Sequence, residues 1–146
     1  WPSPPLVAIP LPRWLLAARW SSRPTAATWL PLRSSVKPCC TIDSTGETLV
    51  HDARITNNPY AVQPVSVNRH FRFKAVVVGR GAQPEYIKTY AYLDTLTQPV
   101  LVQQASYFPP FTAARGGQRL TGKQFVYAGP VERELQYECV LHGVQP

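Results

Sequence analysis

The sequence predicts an all-β fold: a small antiparallel β-sandwich, or a barrel, preceded by an irregular N-terminal segment rich in Pro, Trp and Arg. Three observations predict it. Beyond Pro38 the apolar residues recur with period two rather than 3.6. The alternating runs are short and separated by Gly, Pro and Asn turns. No helical pattern of about ten residues intervenes, so parallel βαβ units are not expected.

Composition draws the boundary. All four tryptophans (Trp1, Trp14, Trp20, Trp29) precede residue 30, whereas every tyrosine and phenylalanine lies from Tyr60 onward. The first acid is Asp43, so Arg13, Arg19, Arg23, Arg33 and Lys37 carry five positive charges without compensation. The two parts are therefore residues 1–37, expected to be disordered, leader-like or non-native, and residues 38–146, a single β-domain. Trp1 in place of Met reads as a fragment or a processed form, and an acid-free Arg/Ser/Ala composition is also that of an organellar transit peptide. A net charge of +7 suggests an anionic partner, yet most of the excess sits in residues 1–37. No apolar run approaches the ~18 residues of a membrane span.

The elements follow in order. Asp43-Ser44-Thr45-Gly46 reads as a turn before a strand at Thr48–Asp52, and Asn57-Asn58-Pro59 as another turn. Val62–Val67 is extended, with Pro64 favouring an edge. His70–Val78 is the strongest strand, with Phe71, Phe73, Ala75 and Val77 on one face. Its other face turns from Arg72 and Lys74 to Val76 and Val78, so one end is expected to be covered on both sides. A loop is expected over Gly79–Pro84. In Tyr86–Leu93, Ile87, Thr89, Ala91 and Leu93 oppose Tyr86, Lys88, Tyr90 and Tyr92. Gln98–Ala105 is a further β-rich run. Phe108-Pro109-Pro110-Phe111 and Gly116-Gly117 bracket a long loop. Gln124–Ala128 and the alternation ending in Leu135, Tyr137, Cys139 and Leu141 supply the last two strands.

Cys39 and Cys40 stand just before the first of these strands, and Cys139 lies on the apolar face of the last. A bridge from that pair to Cys139, with Cys40 as the candidate, would tie the domain's ends together. In the chain-entropy model a loop of about 100 residues gives roughly 4–5 kcal/mol. The other reading of Cys139 is a buried free thiol. Tyr137-Glu138-Cys139 resembles the Tyr-x-Cys of the immunoglobulin F strand. The resemblance covers three residues and implies a sandwich. The family's strand-C tryptophan has no counterpart here, and only seven residues follow Cys139.

Several motifs carry chemistry on paper. Gly117 to Lys123 has phosphate-loop spacing, but Gln124 stands where the magnesium-binding hydroxyl belongs, and a strand follows where a helix is needed. His51, His70 and His142 lack close metal-ligand spacing. Asp52 and His51 are sequence neighbours that point to opposite faces of a strand. Glu132 and Glu134 share a face, as a solvated charge row would. No catalytic residue, metal or cofactor is assigned.

The strongest binding feature is the row Tyr86, Lys88, Tyr90, Tyr92. Rings interleaved with a base stack on sugars, bases or protein groups, and Arg72 and Lys74 would widen the row if their strand is its neighbour. Phe108 and Phe111 add an aromatic, proline-rich loop. A half-buried strand row covered by a loop is the plainer reading. The sequence thus points to a non-enzymatic secreted or cell-envelope module acting in binding or structure, with a protein or glycan partner. The alternative is an intracellular or organellar protein docking on RNA or a large assembly through its basic N-terminal segment, with salt-sensitive binding.

Overall fold

The structure, a computed structural model, describes residues 1–5, 8 and 36–144. The chain divides into two units, Trp1–Leu32 and Arg33–Pro146. Of the first, residues 1–5 and 8 are exposed and lie outside helices and strands. The other expectations for residues 1–35 fall outside the described residues.

The second unit is built of strands: β1 (Lys37–Ser44), β2 (Glu47–Asp52), β3 (Ile55–Thr56), β4 (Val65–Ser66), β5 (Phe71–Arg80), β6 (Gln83–Leu93), β7 (Val100–Tyr107), β8 (Gln118–Arg119), β9 (Gln124–Ala128) and β10 (Arg133–His142). They form two sheets packed together, which bears out the all-β expectation. The first runs β2-β1-β10, with β8 and β9 both on the far side of β10. The second runs β5-β6-β7, with β3 and β4 both on the near side of β5.

Alternation explains the packing. Phe71, Phe73, Ala75 and Val77 on β5 and Ile87, Thr89, Ala91 and Leu93 on β6 are buried. Opposite them, Cys40 and Ile42 on β1 and Leu135, Tyr137, Cys139 and Leu141 on β10 are buried as well. The Phe73 and Tyr137 rings meet across the gap with centroids 4.9 Å apart. The Tyr137 hydroxyl shares a hydrogen bond with the Thr89 hydroxyl (3.2 Å) and donates to Gln103 Oε1 (2.8 Å). One side chain of the first sheet is thereby fastened to two strands of the second, without leaving its buried oxygen unpaired. Val76, on the other face of β5, is also buried. β5 is thus covered on both sides at Val76, whereas Val78, nearer its end, is half-buried.

Four expectations need correction. Lys37–Ser44, including both cysteines, is a strand and the centre of its sheet; Val36 before it is fully buried. Pro38, Asp43 and Ser44 disguise it. Pro38 keeps only its carbonyl, which accepts from the Ala53 amide at 3.1 Å. Ser44 satisfies its buried hydroxyl on the Glu134 carbonyl at 3.0 Å. The expected loop at Gly79–Pro84 is a tight hairpin around Gly81-Ala82, with a register shift at Val78/Gly79. A Cβ on Gly79 would overlap the Gln83 carbonyl, so the shift needs glycine there. The pairing is antiparallel except at β3, where Ile55 and Thr56 run parallel to Val77 and Val78. Only Ala53 and Arg54 separate β2 in one sheet from β3 in the other, so the chain changes sheets without turning round. Finally, Glu132 is left-handed (φ 50°) and precedes β10, so it does not share a strand face with Glu134.

Candidate binding face

β5 and β6 are neighbours, which is the condition the aromatic row required. Their register sets Arg72 beside Tyr92, Lys74 beside Tyr90, Val76 beside Lys88 and Val78 beside Tyr86. These residues alternate with the buried set, so they form the outer face of the second sheet. The Lys74 ammonium lies 4.8 Å from the Tyr90 ring centroid and 6.0 Å from that of Tyr92. Lys88 lies 5.3 Å from the Tyr86 centroid. The Tyr90 and Tyr92 rings are 6.3 Å apart and within 16° of parallel. Each ammonium–ring contact is worth about 0.5–1 kcal/mol at a partly exposed site. Their joint effect is to hold the rings in order.

Charge on this face is one-sided. Its single carboxylate partner is Asp94, just past β6, which takes the Arg72 guanidinium at 2.9 Å. Lys74 donates to the Val62 carbonyl at 3.4 Å, and the segment containing the 3-10 turn Pro59–Ala61 lies over this part of β5. That segment is the partial cover expected by the plainer reading; Tyr86, Lys88, Tyr90 and Tyr92 are nonetheless half-buried rather than closed off. Burial pushes the Tyr92 phenol up, so it remains a neutral donor.

The proline-rich loop divides. Phe108 is 66% exposed and its ring stands 6.5 Å from that of Tyr86, extending the face. Phe111 instead is half-buried and packs against the core. Leu101, opposite Tyr92 on β7, is exposed and adds an apolar margin that the β-rich run at Gln98–Ala105 did not reveal. Its signal was present: a strand whose outward positions carry Leu rather than charge.

Elsewhere the motifs dissolve into structure. Gly117–Lys123 contains β8 and pairs with β10; it opens no helix. Thr121, in the same run, is buried and accepts from the Cys139 amide at 3.0 Å, a structural role. His51 packs edge-on to Phe73 with centroids 6.1 Å apart. Among the described residues no three His, Cys, Asp or Glu side chains gather closely enough to hold a metal ion. No described helix is long and apolar enough to cross a membrane.

Cys40 and Cys139, directly opposite in the β1–β10 register and fully buried, are joined in a disulfide across 99 residues of sequence. This bridge lies within one sheet, whereas the immunoglobulin disulfide joins two. Cys39 points the other way and is free. Burial, then the hydrogen bond to Asp52, pushes its thiol up, away from the reactive thiolate. Compared with known proteins, the chain matches no family model, no curated protein and no solved structure.

Proposed function

We propose that this protein is a non-enzymatic binding module of a secreted or cell-envelope setting, and that its contact surface is the outer face of the second sheet. The observation that carries the reading is the Lys74–Tyr90–Tyr92 group, flanked by Lys88–Tyr86 and Phe108. Tyrosine offers a large rigid area with a polar tip at small entropic cost, and such residues concentrate in protein contact surfaces. A protein partner with an acidic patch fits this surface. The near-parallel Tyr90/Tyr92 pair favours a second reading, a glycan lying along the rings. A buried disulfide supports an oxidising compartment. It weighs against the intracellular reading, whose support is the five cations of residues 1–37.

The test is a binding screen of the full chain against arrayed extracellular proteins and glycans, repeated with Tyr90→Ala/Tyr92→Ala. A partner whose affinity falls about tenfold or more in the variant supports the face. Partners bound equally by both proteins would refute it. Deleting residues 1–35 separates the alternative: polyanion binding lost with that segment would favour the basic-arm reading.

A further inference from the structure

At the hairpin end of β5 and β6 lies an open cleft of about 790 Å³. Three separate stretches of chain bring cations to it: Lys37 from the start of β1, Arg54 from the β2–β3 crossing, and Arg80 from the end of β5. Its one carboxylate, Asp52, is already occupied. It takes the Lys37 ammonium at 3.4 Å and the Cys39 thiol, which together hold its carboxyl below the usual range. Arg54 and Arg80 have no ion-pair partner among the described residues. Asn57 adds an amide, and glycines at 79 and 81 leave that wall without side chains.

We infer that this cleft is an oxyanion site, built to take a sulfate or phosphate ester carried by a larger ligand. Two uncompensated guanidinium groups on one concavity set up a positive potential that its single neutralised acid does not cancel. Guanidinium forks also match paired oxygens of a tetrahedral anion better than an ammonium does. The crossing between sheets matters here. Because only Ala53 and Arg54 link β2 to β3, the backbone of Arg54 is held between two paired strands rather than carried on a long turn. This site is separate from the aromatic face and does not depend on it.

The test is a backbone-amide NMR titration of the full chain with sodium sulfate and sodium phosphate, against sodium chloride at equal ionic strength. Glucose 6-sulfate and glucose 6-phosphate then distinguish the two sources of the ester. The expected result is saturable shifts at Arg54, Asn57 and Gly81, unchanged in Tyr90→Ala/Tyr92→Ala. Affinity should fall about tenfold or more in Arg54→Gln/Arg80→Gln. Both arginines are exposed, so the spectrum of that variant should otherwise match the parent. Shifts confined to residues 1–35, shifts without saturation, or affinity unaffected by the double substitution would each overturn the assignment.

Discussion

The two outer faces of the domain have been built in opposite ways. On the first sheet polar side chains satisfy one another. Thr48 donates to Asp43 at 2.6 Å, Gln136 to Glu134 at 2.7 Å, Lys37 pairs with Asp52, and Arg119 with Glu138 at 3.2 Å. Charged and polar groups fill its centre, as on an ordinary solvated surface, while Val50 on β2 and Phe125 and Tyr127 on β9 stand exposed on its flanking strands, with Lys123 6.0 Å from the Phe125 ring centroid. On the second sheet rings and ammonium groups stand together with a single acid at the margin. The first face pairs its central charges and confines its exposed rings to the flanking strand β9. The second keeps donors, rings and charge on offer, and this difference is the physical ground for placing the contact there.

The sharpest way to break the comparison is through the first sheet. Cys139→Ser should cost about 2–5 kcal/mol in urea unfolding, because the bridge closes most of the domain into one loop. Cys39→Ser, on the outer side of the neighbouring strand β1, should cost less than about 0.5 kcal/mol. Equal effects would mean that Cys40 and Cys139 are not the pair that closes the domain. Next comes the tie between sheets. Tyr137→Phe should lose about 1–2 kcal/mol, because Thr89 and Gln103 each lose the Tyr137 hydroxyl as a hydrogen-bond partner. Tyr90→Ala/Tyr92→Ala should lower partner affinity while costing only about 1–2 kcal/mol of stability, the sum of the two ammonium–ring contacts removed. A larger loss of stability would show that the rings are structural cover instead of a contact surface.

The smallest effect concerns acid. Burial lowers the His51 pKa from its ordinary 6.5. The unfolded chain therefore binds the proton first, and stability falls as pH drops below about 6.5, towards the lower folded value. His51→Phe should flatten that part of the pH–stability curve. The separate loss from Asp52, whose pKa is lowered from 3.8, should remain at more acid pH. A curve unchanged by His51→Phe would remove His51 as the cause.

Alternation made the long strands legible in the sequence, because a one-residue slip would have turned Phe71 and Phe73 or Leu135 and Tyr137 to water. The aromatic row was legible for the same reason; its partner Lys74 on β5 became definite only with the register. β1 was not legible. Its pattern of Pro38, paired cysteines and Asp43 mixes strand and turn residues, and tertiary pairing on both sides overrides local preference. Phe111 was misplaced because a loop without periodicity gives no rule for which ring turns inward. The Arg54–Arg80 cleft was hidden for a different reason: its members lie far apart in sequence, and only the change of sheet at Ala53-Arg54 assembles them.

That central strand also imposes an order on biosynthesis. β3 to β7 form a contiguous stretch, residues 55–107, and can pair with one another as soon as they have emerged from the ribosome. β1 has its hairpin partner β2 at once, but its other neighbour β10 comes much later, with the thiol of Cys139 99 residues after that of Cys40. The aromatic sheet is thus available early, while the first sheet stays open along one side of β1, with Cys40 unpaired, until β10 has been made. A nascent chain stalled before β10 would display the exposed edge of β1 and an oxidisable thiol to whatever chaperone or oxidase attends it.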